Sequence, residues 1–456
     1  MNHCFNRARR WHRAATLGVV LAASGVLAGC DGLLEVENPQ AIAPEQLDDR
    51  VNLNLLTNGV VGDFQRAFDD LAYFSGVFTD ELRNHFTFVE EPQIDQRDVT
   101  PGNGTAAGLV YNQLQRARGL ADSTAVRLQR VLGDSANSDL RLARVLAYGG
   151  MTYVLMAETL CEAPVNLSRP YTPEELFRDF ALPRFQQAIQ VATAAQAAAA
   201  AQAPATAGSR RTVAGADSII NFARVGAARA ALNLGNKQQA VQFASPVPTG
   251  FLLNANYSDN SSEENNFVFA RLTNTVSASV AGTPFEGLKD IRVPIPASAG
   301  ATGTGFSRFQ PNSPTAYSTY TGTLPGGEFT RGSNIRVASG LEAQYIVAEA
   351  EGLNAKNLAF INARRAIGGE PALPATITPA RFLAAVREQR RIDLYLDAHR
   401  LGDLRRYRAQ FGDNIEDINK FEQGPYLEST TVSFANQYCF PVSASEMAGN
   451  PNYPRG

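Results

Sequence analysis

The chain's hydrophobic and polar positions repeat with a helical period over most of its length. Gly59–Phe78 is mostly apolar at helical spacing. Thr105–Leu132 is a long amphipathic stretch, with Leu109, Leu114, Ala117, Leu120, Ala121, Leu128 and Leu132 near one side. Arg116, Arg118, Arg127 and Arg130 fall away from much of that side. Ser138 is placed to cap a helix over Leu140–Leu160. Its Ala143, Leu146, Ala147, Gly150, Val154 and Ala157 form a small-residue seam that lets two helix axes approach closely. Thr172-Pro173-Glu174-Glu175 combines a cap, a proline at the first helical position and acids that suit the helix dipole. The helix it starts runs through Phe177, Leu182, Phe185 and Ala188 into an alanine-rich tail ending near Pro204, with a kink expected at Pro183.

Two later segments read as helical hairpins. Ser218–Ser245 places alanines at a crossing and breaks at Leu234-Gly235-Asn236. Leu341–Glu351 followed by Asn357–Ala366 is the second. Both are tetratricopeptide-like, although no strict repeat is visible. Between them, over about 246–339, the helical period disappears and Gly, Pro, Ser, Thr and Asn dominate. Long loops inside compact proteins are usually functional or disordered. This one holds Tyr257, Phe267, Phe269, Phe285, Phe306, Phe309, Tyr317, Tyr320 and Phe329, too aromatic for plain disorder. Short apolar runs such as Asn266–Leu272 are candidate strands. The pattern as a whole predicts a mainly α protein with few short strands and one long loop-rich insertion.

Residues 1–29 read differently. Arg7, Arg9, Arg10 and Arg13 precede the apolar run Ala14–Ala28, which is too short to span a bilayer as a stable helix. The run ends in Leu27-Ala28-Gly29-Cys30, the pattern of a lipoprotein signal cleaved before a cysteine that accepts lipid. Two or three acyl chains on Cys30 would anchor the protein stably. No later stretch is long and apolar enough to cross a membrane, so the lipid is the expected membrane attachment.

This reading changes the composition. Of 456 residues, 44% are hydrophobic and 19% charged, enough for a sizeable core. Removing the four signal arginines takes the net charge from −3 to −7, which argues against nucleic-acid binding. Of four histidines, His3 and His12 lie in the signal, leaving His85 and His399, too few for a histidine-rich metal centre. Cys4 goes with the signal and Cys30 carries lipid. In an oxidising compartment the remaining Cys161 and Cys439 favour one disulfide closing a very long loop, the alternative being two buried free thiols.

The most specific residues lie in Val386–Tyr407, VREQRRIDLYLDAHRLGDLRRY. The stretch reads as two amphipathic helices with Asp397-Ala398-His399 at their junction. Opposed charges recur three or four residues apart, as either a solvated face or a partly buried ion network, and the structural reading is favoured over a catalytic one. His399 has no nucleophile or ligand partner in sequence. The segment resembles the C-terminal signature of SusD/RagB-family outer-membrane lipoproteins, roughly E-R-R-x-E-L-x-x-E-G-H-R-x-x-D-L-R-R. Glu388, Arg390, Arg391, Leu394, His399, Arg400, Asp403, Leu404, Arg405 and Arg406 match it. Gln389, Asp393, Asp397 and Ala398 depart from it, Ala398 standing where the family has glycine. Leu33–Pro39, Ala157–Pro164, Glu342–Glu351 with Ile361–Ala366, and Phe440–Val442 with Glu446 and Asn450-Pro451 resemble other family stretches in the same order.

The resemblance implies one SusD-like body over residues 30–456, with TPR-like hairpins supporting a loop-rich ligand face. It also implies a SusC-like TonB-dependent receptor as partner, a nutrient ligand (usually a glycan) and no catalysis. Glycans are bound by aromatic faces and polar side chains. The candidates here are Phe86, Phe88, Tyr257, Phe306, Phe309, Tyr317 and Tyr320, although packing beneath a loop is the commoner role for any one of them. No cofactor is expected, although the oxygen-rich loop Asp259–Asn266 is a weak candidate for Ca²⁺ outside EF-hand spacing. A secreted hydrolase is disfavoured, since neither G-x-S-x-G nor H-E-x-x-H occurs. A periplasmic TPR-like scaffold explains the helices but not the aromatic loops. Asp31 after the lipid cysteine bears on the leaflet, being an inner-membrane retention signal in enteric bacteria; the resemblance favours the outer membrane.

Overall fold

The computed structural model describes residues 44–84, 86, 88–274, 277–280, 282–285, 288, 290, 292–293, 331–412, 424–426 and 431–454. Met1–Asn52 forms one unit, of which the turns Pro44–Asp48 and Arg50–Asn52 are described. The second unit, Leu53–Gly456, begins with helix α1 (Leu53–Phe78), followed by the short α2 (Glu90–Asp95). α1 starts earlier than its sequence period implies, because Leu53 and Thr57 are already buried. From Ala67 to Phe78 every residue of α1 is buried, as expected of a helix at the centre of a core.

A π turn at Ala106–Tyr111 leads into α3 (Asn112–Leu132), which packs beside α4 (Leu140–Thr159). The cap of α4 is Asp139, not Ser138: its carboxylate accepts from the Arg141 amide at 2.9 Å. Thr172 and Glu175 form the capping box that their spacing announces, with Pro173 at the first helical position. The helix then passes through a π turn, Leu176–Ala181, before α5 (Leu182–Ala200). Pro183 lies in the first turn of α5, so the irregularity falls before the proline, where its missing amide breaks no helical bond.

α6 (Ala207–Asn233) and α7 (Lys237–Ala244) form the hairpin read at Leu234-Gly235-Asn236, although α6 begins well before Ser218. Gly235 has a φ of +74°, which a side chain would resist. α8 (Gly340–Glu351) and α9 (Ala355–Ile367) make the second hairpin, followed by α10 (Pro379–Asp393), α11 (Arg400–Phe411) and α12 (Ala444–Gly449).

The strands are few: β1 (Arg83–Asn84), β2 (Ala163–Pro164), β3 (Pro170–Tyr171), β4 (Leu252–Ala255), β5 (Ala278–Ser279) and β6 (Ile335–Ser339). They pair antiparallel as β1–β5, β2–β3 and β4–β6. Leu252 faces Ser339 and Ala255 faces Ile335, so β4 and β6 close the two ends of the loop-rich segment. Within it, the strand expected at Asn266–Leu272 is instead a helical turn, Phe267–Phe269, followed by a π turn, Ala270–Asn274. Asn266 Oδ1 accepts from the Phe269 amide and Asp69 Oδ2 from the Phe267 amide, both at 2.9 Å. Caps thus take the donors that a strand would have offered a neighbour.

The small-residue seam has a specific purpose. Phe185 of α5 lies between Gly150 of α4 and Gly226 of α6. A Cβ on Gly150 would come within 2.9 Å of the Phe185 ring, and one on Gly226 within 2.2 Å. Phe185 is fully buried and cannot swing away without opening the contact. Gly226→Ala is therefore expected to destabilise the protein by about 1–3 kcal/mol through overpacking, measured as a lower urea midpoint. Gly235→Ala, in the turn, provides a comparison in which strain comes from φ alone.

The C-terminal segment returns to the end of α4. Cys161 and Cys439 are bonded, with Cα atoms 5.0 Å apart and a separation of 278 positions in sequence. The Cys161 amide donates to Phe440 O at 2.9 Å and the Phe440 amide to Thr159 O at 2.8 Å. The aromatic rings of Phe78 and Phe440 pack with centroids 4.8 Å apart.

Candidate ligand-binding cleft

The described part of the loop-rich segment packs against α1 and leaves a cleft of about 710 Å³ there, within the range of small-molecule sites. α1 contributes Asp63, Arg66, Asp69 and Asp70; the segment contributes Tyr257, Phe267 and the turn Ser262–Asn265. The turn is held from both sides. Arg66 donates to Glu263 Oε2 at 2.5 Å, and the Ser258 hydroxyl hydrogen-bonds the Glu264 carboxylate. Asn266 anchors its end, donating from its amide to Arg331 O and from its side chain to Ser333 O, both at 2.7 Å. Among the described residues no group of three or more His, Cys, Asp or Glu is arranged to hold a metal.

Asp69 and Asp70 dominate the electrostatics. Asp69 Oδ1 accepts from the Asp70 amide and Oδ2 from the Phe267 amide, each at 2.9 Å. Burial, then the neighbouring Asp70 charge, pushes the Asp69 carboxyl well above the ordinary range, against those two bonds. Burial lifts Asp70 to about 7, with Arg66 and Arg271 pulling the other way.

The aromatic candidates divide by position. Tyr257 lines the cleft and is fixed there, its hydroxyl donating to Gln65 O at 2.9 Å. Phe86 and Phe88 pack with centroids 4.9 Å apart, and Phe88 is 67% exposed. The Arg271 guanidinium lies 4.9 Å from the Phe86 ring centroid and 5.7 Å from that of Phe267. A strip of rings and one guanidinium therefore runs from the cleft wall at Phe267 through Arg271 to Phe86 and Phe88. Phe306, Phe309, Tyr317 and Tyr320 lie outside the described residues, as does Cys30. Arg66, Asp69, Asp70 and Arg271 escaped sequence reasoning. The two aspartates interrupt an otherwise mostly apolar helix, and that interruption is the signal they leave in the sequence.

The C-terminal signature lies elsewhere, in the interior. Glu388 and Arg391 form a two-bond pair at 2.6 Å. Arg390 and Arg406 share Asp403, and Arg406 also grips Glu349 of α8 at 2.9 and 3.0 Å. His399 Nδ1 lies 2.6 Å from Asp397 Oδ1, and its Nε2 lies 3.0 Å from Glu342 Oε1 and 2.8 Å from Arg229 Nη1. Arg229 holds Glu158 through two bonds, at 2.8 and 2.5 Å. Burial raises the Glu342 carboxyl, but His399, Arg229 and Arg390 outweigh it and hold the group at about 2. Arg400 donates to Thr79 O at 2.6 Å, and Arg405 donates to Ala157 O and Leu160 O at the end of α4. Ala398, in the position of the family glycine, takes a φ of +60°. These residues tie α10 and α11 to α4, α6 and α8. None of them reaches the cleft, so the buried ion network is the form that the mixed-charge pattern takes.

A comparison with protein-family models finds no match, and a comparison with curated proteins finds none. Solved structures do match over nearly the whole chain. A SusD superfamily protein from Parabacteroides distasonis is 12% identical, covering 91% of this chain and 99% of its own, with a TM-score of 0.61. A SusD-like protein from Bacteroides fragilis is 13% identical, covering 91% and 98%, at 0.60. A SusD-like carbohydrate binding protein from Bacteroides vulgatus is 11% identical, covering 89% and 98%, at 0.59. With identities this low the likeness is one of architecture, and it extends from end to end: the chain has the SusD/RagB-family fold.

Proposed function

We propose that this protein is a lipid-anchored, cell-surface nutrient binder that captures an oligosaccharide and passes it to a SusC-like TonB-dependent outer-membrane transporter, without chemistry of its own. The observation that carries this reading is the SusD fold over 91% of the chain, with a cleft and an aromatic strip on its loop-rich face. One of the similar structures is itself described as carbohydrate binding. Rings such as Tyr257 and Phe88 suit the apolar faces of sugars, while Asn256, Ser262 and Asn265 offer hydrogen bonds to hydroxyls. No helix among the described residues is long and apolar enough to cross a membrane; in this reading the anchor is lipid on Cys30, a reading supported by the Leu27-Ala28-Gly29-Cys30 pattern of the sequence.

Two experiments test the reading. Co-purification from the native membrane should recover a TonB-dependent receptor, and calorimetry against a panel of oligosaccharides should find a ligand. Recovery of a different partner, with the protein shielded from protease on whole cells, would favour the periplasmic scaffold. Anchoring has its own test. Cys30→Ser should abolish incorporation of labelled palmitate and release the protein from the membrane fraction; retained label would place the lipid elsewhere.

A further inference from the structure

A second concavity borders α1, and its charge is opposite to that of the cleft. It is a groove of about 500 Å³ between the first turns of α1, the first half of α4, the middle of α6 and strand β4. Leu140, Ile219 and Leu253 give it apolar walls. Arg141 and Arg144 are its charged groups, and no carboxylate lines it among the described residues. The two guanidiniums differ. Arg141 is matched by Asp139, which it holds at 2.9 and 2.6 Å. Arg144 is half-buried, donates to Asn58 Oδ1 at 3.3 Å and lies 6.0 Å from the centroid of the Tyr148 ring. It forms no ion pair among the described residues. A guanidinium carries five N–H donors, so this leaves Arg144 with donors and a charge to offer a ligand.

The groove and the cleft adjoin. Asn54, Asn58, Gly62 and Arg66 are exposed and follow one another at four-residue spacing, which makes them one ridge along α1. The first two border the groove and the last two the cleft. One helical turn, about 6 Å of rise, separates Asn58 from Gly62. A Cβ added to Gly62 would meet nothing within 4 Å, so the ridge is open between them. The strand side has the same order: Leu253 of β4 lines the groove, and Asn256 and Tyr257, just beyond β4, line the cleft. A ligand that leaves the cleft along this ridge meets Arg144 next, since Arg144 is bonded to Asn58.

We infer that the captured oligosaccharide carries a uronic acid, and that Arg144 binds its carboxylate in the groove. The inference rests on the oligosaccharide reading above and narrows it. The two coplanar oxygens of a carboxylate match the fork of a guanidinium, and the bonds are charge-assisted. The C–H face of the same sugar ring can pack on Leu140, Ile219 and Leu253. A neutral sugar would gain nothing from the charge, and a cationic one would be repelled by it. The acids of the cleft offer such a chain little repulsion. Arg116 holds Asp63 at 2.9 and 3.0 Å, Arg66 holds Glu263, and burial pushes Asp69 and Asp70 toward the neutral form.

The test is calorimetry with the purified protein against oligogalacturonates, oligomannuronates and glucuronoxylan oligosaccharides, each beside its methyl ester of equal length. Esterification removes the charge and leaves the ring. We expect one or more of the acids to bind roughly tenfold more tightly than its ester, and that preference to fall to within about twofold in Arg144→Gln. Arg178→Gln makes the same change in net charge at the surface and should keep the preference. Arg144 has one long hydrogen bond to lose, so the melting temperature of Arg144→Gln should stay close to that of the unaltered protein. In the unaltered protein, about 1 M salt should shrink the preference, a readout that does not depend on any variant. Esters that bind as tightly as their acids, or more tightly, would overturn the proposal and leave oligosaccharide capture standing. So would a preference that survives Arg144→Gln, one lost equally in Arg178→Gln, or one that salt leaves unchanged. No binding by any acid or ester would also overturn it, and the neutral oligosaccharides of the panel above then decide whether the capture reading falls with it.

Discussion

Arg229→Ala is expected to destabilise the protein by about 3–5 kcal/mol, seen as a large fall in the urea midpoint with little change in slope. Arg229 is 2% exposed and reaches four groups at once: both oxygens of Glu158, Nε2 of His399 and the Ala398 carbonyl. Removing it leaves Glu158 bonded to Asn233 alone and strips Glu342 of one of the cations that keep it ionised. The cost comes from the charges left behind, since Glu158 and Glu342 are buried. Arg229→Met with Glu158→Leu, which removes both charges of the main pair, should recover part of the loss. Arg178→Ala, whose salt-bridge partners Glu174 and Asp179 lie at the surface, should leave the midpoint unchanged. If Arg229→Ala behaved like Arg178→Ala, the interior network would have no structural weight.

Breaking the Cys161–Cys439 bond is the second large effect. Cross-linking residues 278 apart removes much of the freedom of the unfolded chain. Loops of that length approach about 5 kcal/mol in the chain-entropy picture, and measured values usually fall near 2–4 kcal/mol. Cys161→Ser with Cys439→Ser, or the reduced protein, should lose about that much in urea. The loss should be accompanied by early proteolysis after residue 430, because the strand-like pairing of Phe440 with Thr159 and Cys161 is short. A double variant with unchanged stability and protection would mean that hydrogen bonds alone close the segment.

What the sequence made legible, and what it did not, follows the range of the interactions. Local chemistry read well: the Thr172 capping box, the turn at Gly235 and the α8–α9 hairpin all depend on residues within a few positions of one another. The cap at Asp139 was misplaced by one residue because Ser138 and Asp139 both suit the role. At Asn266–Leu272 the short apolar run suggested a strand, but Asp69, nearly two hundred residues away, takes the Phe267 amide and turns the chain. The signature region was visible as a charge pattern but undecided between solvated and buried. Its deciding partners, Arg229, Glu342 and Glu349, sit on other helices. Asp69 and Asp70 were illegible for the same reason: the loop that buries them lies far along the chain.

The placement of the two bonded cysteines also has a consequence for biogenesis. Cys161 must wait for 278 further residues before its partner exists. Until Cys439 is present and brought to the end of α4, Cys161 has no partner in a disulfide within the chain. The bond can therefore form only once nearly the whole body exists, and a chain that stops before Cys439 lacks its covalent closure altogether.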